Sequence, residues 1–142
     1  MTQIMNAELS TSKLHDIAHM GLRATIGVIF IVHGFGKFGN PGFGGWITSM
    51  GIPAEMQIPI ALAEFVPGIF LLIGVLTRIS GALLSIVMLG AIFLVKGATS
   101  LAGDSGYEFD LILLAASLVV IVSGPGRISI SHLIKKLPRF LH

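Results

Sequence analysis

One acidic residue, Glu64, lies inside the apolar stretch 56–76 and is the first candidate for chemistry in this chain. About 20 predominantly apolar residues cross the roughly 30 Å hydrocarbon layer of a bilayer. A charged side chain at the centre of such a span costs about 2.5–3.5 kcal/mol on insertion scales, so it normally faces a protein or water-lined interior and has a partner. Glu64 is therefore expected to be buried among other polar groups.

The groups that could meet this carboxylate lie at the ends of the other apolar runs. His33 and Lys37 are four residues apart near the end of the first run, so they share a helix face. Lys96 ends the third run, and Glu108 and Asp110 begin the last one. In a helical bundle these side chains would form a polar pocket in its outer half, with the buried carboxylate about 12 Å deep at 1.5 Å per residue.

Two interpretations of Glu64 remain open. It could pair with Lys37 or His33 only to hold the helices together, or remain protonated and donate one hydrogen bond. Alternatively, the pocket binds or handles a molecule, which is the default hypothesis for an ionisable group inside a span. The role of Arg23 is also open. An arginine near a span end commonly snorkels to water, but Arg23 shares a helical stripe with Lys37, which leaves room for a buried role.

The elements that must position these residues are apolar runs separated by polar or Gly-rich segments. The chain has 54% apolar and 11% charged residues and a mean hydropathy of +0.91, against a usual charged fraction of about 25%. We predict an all-α membrane protein, a bundle of four transmembrane helices. The predicted units are a polar N-terminal segment 1–16, a transmembrane domain 17–126 with spans at about 17–38, 56–76, 79–95 and 107–123, and a basic amphipathic tail 127–142.

The distribution of basic residues predicts the orientation. With a cytoplasmic N-terminus, the inner side would hold Lys13, Arg23, Arg78, Arg127, Lys135, Lys136 and Arg139, and the outer side only Lys37 and Lys96. Cytoplasmic loops carry an excess of Lys and Arg. Both termini are therefore predicted to be cytoplasmic, in a multi-pass protein of the plasma membrane. Segment 39–55 is rich in Gly and Pro and predicts an irregular loop, with Phe43 and Trp46 at the membrane interface.

Several other functions are excluded. The chain has no cysteine, which removes disulfides, iron–sulfur clusters and thiolate zinc sites. The glycines of segment 34–39 match a dinucleotide-binding pattern, but that motif needs a strand before it. His19 and His33 would lie about 21 Å apart on one helix, too far to share a haem iron. No metal site is predicted, and the dispersed basic residues exclude nucleic-acid binding.

Taken together, several short motifs resemble the DoxX family of small four-helix membrane proteins. They are Arg23, His33-Gly34 to Lys37, Gly51-Ile52-Pro53, Ala63-Glu64, Gly74-Val75-Leu76-Thr77-Arg78, Glu108 and Gly124-Pro125-Gly126-Arg127-Ile128-Ser129. The resemblance implies a membrane protein with both termini cytoplasmic. Its members have been linked to quinone-coupled thiosulfate oxidation and membrane oxidoreductase complexes, and distant relatives to cargo sorting and receptor assembly. The flexible Gly-rich segment after Lys37 departs from the family pattern.

The resemblance and the pocket together predict an accessory protein or subunit of a membrane redox system, with a quinone or another small apolar ligand in the outer half of the bundle. The rival hypothesis is a non-enzymatic scaffold or chaperone for another membrane protein, with Glu64 purely structural. Whether the chain is itself an enzyme stays open. The predicted partners are the lipid bilayer, a redox partner subunit and a second copy of the chain. The candidate catalytic residues are Glu64, Lys37 and Glu108, and the candidate ligand-binding residues are His33, Lys37, Glu64, Asp110 and Arg23.

Overall fold

The computed structural model describes residues 13–104 and 106–133, and every secondary-structure element within these ranges is helical. The elements are α1 (Lys13–Lys37), α2 (Pro41–Ser49), a 3-10 turn (Ala54–Met56), α3 (Gln57–Ile73), α4 (Thr77–Gly90) continued by a π-helix (Ala91–Val95), α5 (Glu108–Ser123) and α6 (Ile130–Leu133). Most of the predicted N-terminal segment and of the basic tail lies outside the described residues. The predicted all-α class is confirmed for the part of the chain that is described.

Three helical stretches among the described residues are long and apolar enough to cross a membrane: Lys13–Lys37, Ala54–Ile73 and Thr77–Val95. The first begins at Lys13, within the predicted polar N-terminal segment 1–16. The fourth predicted span corresponds to α5, which has 16 residues. Two left-handed residues, Gly74 (φ 76°) and Leu76 (φ 48°), make the tight turn between α3 and α4. The amides of Gly74 and Val75 both donate to the Phe70 carbonyl at 2.9 Å, which closes the end of α3.

Helices α1 and α3 pack backbone against backbone because glycines line their contact. A Cβ added to Gly27 would lie 2.7 Å from the Gly68 carbonyl oxygen, and one added to Gly34 would lie 2.6 Å from the Phe65 amide nitrogen. Small residues allow such close approach between helices. This contact fixes the register of α1 against α3 and hence the position of Lys37 relative to Glu64.

The small residues of α4 serve a contact within the chain. A Cβ at Gly81 would lie 3.1 Å from the Ser117 carbonyl oxygen of α5, and Ser85 is buried and donates to the Gly81 carbonyl at 2.7 Å. Gly81 therefore allows α4 to pack closely against α5. The apolar core is formed by α1, α3, α4 and α5 and consists of Ile26, Phe30, Leu71, Leu84, Met88, Leu113 and Val120.

Gly34→Ala is expected to destabilise the protein by about 1–3 kcal/mol, the range for overpacking a well-packed contact. The new methyl group would collide with the α3 backbone rather than with a side chain that could move. Gly36→Ala is the matched control, because it lies on the same helix with nothing within 4 Å of the added Cβ. The free energy of unfolding of both variants in detergent measures the difference. Equal stabilities would contradict the close packing of α1 on α3.

The prediction of an irregular loop over 39–55 is wrong, because residues Pro41–Ser49 form α2. The Asn40 side chain accepts a hydrogen bond from the Gly42 amide at 3.0 Å, and Pro41 occupies the first turn. Both features favour a helix start. The Gln57 Nε2 atom donates to the Lys37 and Asn40 carbonyls at 2.8 and 2.7 Å, which ties α2 to the ends of α1 and α3. Capping and these contacts outweigh the low helix propensity of glycine.

Candidate functional site

A buried ion pair joins α1 to α3 near one end of the bundle. The Lys37 Nζ atom donates to Glu64 Oε2 at 2.5 Å. The side chains of Lys37 and Glu64 are 22% and 5% exposed, so the carboxylate is almost completely buried. Glu64 is positioned by the glycine-lined contact between the two helices, and Lys37 is the last residue of α1.

A second ion pair joins the end of the π-helix to the first turn of α5. Lys96 Nζ lies 2.5 Å from Asp110 Oδ2 and also donates to the Gly106 carbonyl at 2.9 Å. Asp110 Oδ2 is buried and has no hydrogen-bond partner among the described residues. Its contact with Lys96 is therefore an ion pair whose geometry is not that of a hydrogen bond. The site therefore contains two carboxylates, each neutralised by a lysine from a different helix.

A cavity of about 350 Å³ is lined by the charged residues of both ion pairs. Its remaining wall is apolar and comes from α2, α3, α4 and the π-helix, with Trp46, Ile47, Met50, Ile60, Val87 and Leu94 among its members. Ligand pockets of about 300–1,000 Å³ with apolar walls and a few placed polar groups are typical of small-molecule sites. The cavity has this composition.

Helix α2 covers one side of the cavity with an aromatic and aliphatic face. Phe43, Trp46, Ile47 and Met50 recur at helical spacing and all line the cavity. The Phe43 ring lies 5.6 Å from Lys37 Nζ and 5.8 Å from the Trp46 ring, centroid to centroid. At this distance the ring face attracts the ammonium group. The segment expected to be too flexible to seal a pocket thus forms an ordered part of its wall.

Two predicted site residues lie at the same end of the bundle but outside the cavity lining. His33 is exposed, and its ring stacks on Phe109 with centroids 6.0 Å apart. Glu108 is exposed in the first turn of α5, where a carboxylate suits the helix dipole. Of the seven ionisable groups considered at this end or inside the spans, the structure brings together Lys37, Glu64, Lys96 and Asp110.

Arg23 lies at the opposite end of the bundle, about 21 Å from Lys37 by helical rise. Its side chain is 2% exposed, so it is buried rather than snorkelling to water. Nε donates to the Leu71 carbonyl and Nη2 to the Ile128 carbonyl, both at 2.8 Å, and Nη1 donates to the Pro125 carbonyl. The guanidinium group therefore joins α1 to the end of α3 and to the segment after α5, and it does not reach the cavity.

Sequence reasoning placed Lys96 in the predicted polar pocket without naming it as a ligand-binding residue, and it missed Trp46 as a member of the site. Lys96 ends an otherwise uncharged run, and that position was a signal for a polar contact with the acidic start of α5. Trp46 was assigned to the membrane interface because the helical character of α2 was not recognised. Phe43 and Trp46 lie three residues apart, a spacing that already fitted a helix face.

Chemically, the arrangement can bind a neutral molecule and exchange a proton with it. The two ion pairs carry no net charge, and an ammonium group has three N–H donors. Lys37 uses one of them on Glu64, so two remain for a ligand oxygen. Electrostatic interactions are stronger beside such an apolar wall than in bulk water.

Comparisons with known proteins agree with the family resemblance. The sequence model of the DoxX family matches residues 18–97, which include Lys37, Glu64 and Lys96. The chain is 36% identical to the Bacillus subtilis protein named "Putative oxidoreductase CatD" over 114 residues, 80% of this chain and 84% of that protein. It is 30% identical to the Escherichia coli "Inner membrane protein YqjF", over 87% and 97% of the two chains, and 33% identical to the Mycobacterium tuberculosis "Uncharacterized membrane protein Rv3486", over 81% and 80%. No solved structure gives a significant match.

Proposed function

This chain belongs to the DoxX family of membrane proteins, and we propose that it is an accessory protein or subunit of a membrane redox system whose cavity holds a quinone-like molecule. The single observation that supports this function is the apolar cavity of about 350 Å³ with Lys37 and Glu64 in its wall. A quinone is neutral, flat and largely apolar, with carbonyl oxygens that accept hydrogen bonds. These properties match the walls and the polar groups of the cavity.

In this proposal Lys37 and Glu64 have different roles. Lys37 Nζ donates a hydrogen bond to a carbonyl oxygen of the ligand, and the Glu64 carboxylate, 2.5 Å from the same nitrogen, passes protons to and from that oxygen. Reduction of a quinone to a hydroquinone takes two electrons and two protons. The electrons are assigned to a partner redox subunit, because the chain has no cysteine with which to hold an iron–sulfur cluster.

The proposed arrangement in the membrane has four spans with both termini cytoplasmic, in the plasma membrane. By rise, α5 is about 24 Å long, and local thinning of the bilayer accommodates a span slightly shorter than its roughly 30 Å core. Arg23 and Arg78 lie at one end of the bundle, and Lys37 and Lys96 lie at the other. With the termini on the cytoplasmic side, as proposed, the cavity belongs to the outer half of the bilayer. The name of the Escherichia coli relative, an inner membrane protein, supports the plasma membrane.

A scaffold for another membrane protein is the second candidate. The observation that favours it is the Lys37–Glu64 pair itself, which joins α1 to α3 and could be purely architectural. A scaffold of this kind needs no occupant in the cavity. Whether the cavity holds a ligand therefore distinguishes the two proposed functions.

The experiment is mass spectrometry of small molecules extracted from protein purified out of native membranes. We expect a roughly equimolar quinone or quinone-like molecule in the wild type. Ala63 lines the cavity, so Ala63→Phe should fill it and remove the ligand. Ala82→Phe adds the same ring on an exposed face of α4 and should keep the ligand. Protein that carries only bulk lipid, or equal ligand content in both variants, would contradict a ligand-binding cavity and favour the scaffold.

A further inference from the structure

We propose that Lys96 and Asp110 form a second polar end of the same cavity, so that the ligand is held at both ends. The ligand class that fits is a neutral, flat, apolar molecule with a hydrogen-bond-accepting oxygen at each of two opposite ends. Lys37 binds one oxygen and Lys96 binds the other. This inference rests on the proposed function of the cavity and assigns a binding role to the lysine that directly follows the π-helix.

The two ion pairs come from different pairs of helices. Lys37 and Glu64 belong to α1 and α3, whereas Lys96 and Asp110 follow the π-helix and begin α5. All four residues line one cavity. Each lysine is neutralised by its own carboxylate, which makes the two polar ends alike and the site neutral as a whole.

The π-helix directs Lys96 toward the cavity. The Lys96 amide donates to the Ala91 carbonyl at 3.1 Å, a bond between residues five apart. In a π turn, residues five apart lie above one another, so Ala91 and Lys96 face the same side, which they would not do in an α-helix. Both line the cavity together with Leu94 and Val95. Single π turns are frequent at functional sites.

The Lys96 ammonium group also has an N–H donor left for a ligand. It donates one of its three N–H groups to the Gly106 carbonyl, and the ion pair with Asp110 engages at most one more. Gly106 is closely packed, because an added Cβ would lie 2.5 Å from the Leu101 carbonyl oxygen. The third N–H group is available to an acceptor in the cavity.

Trp46 provides the assay, because it is the only tryptophan of the sequence and lines the cavity. A para-quinone with a short alkyl tail offers two opposite oxygens and quenches indole fluorescence when bound. An aryl ketone with the same tail offers one oxygen, and its affinity is read by competition with the quinone. The test variant is Lys96→Met with Asp110→Asn, which removes the second polar end without leaving a buried charge. Lys96→Arg keeps charged donors and serves as the conservative control.

We expect the double variant to bind the quinone about tenfold more weakly, which corresponds to one lost hydrogen bond from a charged donor. Its affinity for the one-oxygen ketone should stay unchanged, and Lys96→Arg should retain most of the quinone affinity.

An unchanged quinone affinity, or an equal loss for both probes, would overturn the role of Lys96. If the wild type binds neither probe, the proposed function itself fails. If Lys96→Met with Asp110→Asn does not fold, Lys96→Gln with Asp110→Asn provides a second neutral pair. The ratio of its quinone affinity to its ketone affinity, compared with that of the wild type, then tests the role of Lys96.

Discussion

Lys37→Met is expected to lower the free energy of unfolding by about 3–5 kcal/mol, the usual loss when one partner of a buried ion pair is removed. The substitution leaves the Glu64 carboxylate, 5% exposed, without the ammonium group that lies 2.5 Å away. Methionine keeps most of the volume of the lysine stem, so the loss reports the charge rather than a cavity. Denaturant titration of the purified protein, followed by helical circular dichroism, measures it.

The double variant Lys37→Met with Glu64→Gln is the control for this prediction. Replacing both members of a buried pair by neutral groups of similar volume is often close to neutral for stability. The double variant should therefore recover most of the stability that the single variant loses. If the single and double variants are equally unstable, the ion pair does not couple α1 to α3 as the structure indicates.

Arg23→Met is expected to destabilise the protein by a similar amount, about 3–5 kcal/mol, because each hydrogen bond from a charged group is worth about 1.5–3 kcal/mol and such losses are not fully additive. The variant leaves the carbonyls of Leu71, Pro125 and Ile128 without their donor. Arg23→Lys should recover only part of the loss, because a single ammonium group cannot replace the planar fork. The same denaturant titration measures both variants.

Arg127→Met is the matched control, since it removes an arginine from the same end of the bundle. Arg127 is 61% exposed and lies 3.8 Å from Asp16. An exposed pair of this kind contributes about 0–1 kcal/mol. Ligand affinity should stay unchanged in Arg23→Lys, because the guanidinium group does not line the cavity. A loss of binding without a loss of stability would contradict the structural role of Arg23.

The sequence was sufficient to place the long helices and one polar contact between them. Apolar runs of the right length predicted α1, α3 and α4, and an acid inside a span implied a basic partner, which the structure identifies as Lys37. The reason is general: burial of a lone charge in an apolar layer is costly enough that its partner is constrained. Membership of the DoxX family, inferred from ordered short motifs, is confirmed.

Other features depend on contacts that no local pattern encodes. Helix α2 forms in a Gly-rich segment because Asn40 caps it and Gln57 ties it to α1. The π-helix has no sequence signature of its own, so the direction of Lys96 could not be predicted. The burial of Arg23 depends on two carbonyls from the segment after α5, more than 100 residues away in sequence. Helix propensity and periodicity describe neighbours along the chain, and these features arise from neighbours in space.

The most direct test of a ligand-binding role for the first ion pair is the affinity of the Lys37→Met, Glu64→Gln variant for the short-tailed quinone, read from Trp46 fluorescence. This variant is expected to keep nearly the wild-type stability, so a change in affinity reports the loss of the donor and the proton carrier. We expect binding about 10- to 100-fold weaker than in the wild type. An affinity equal to that of the wild type would show that the pair only holds α1 against α3.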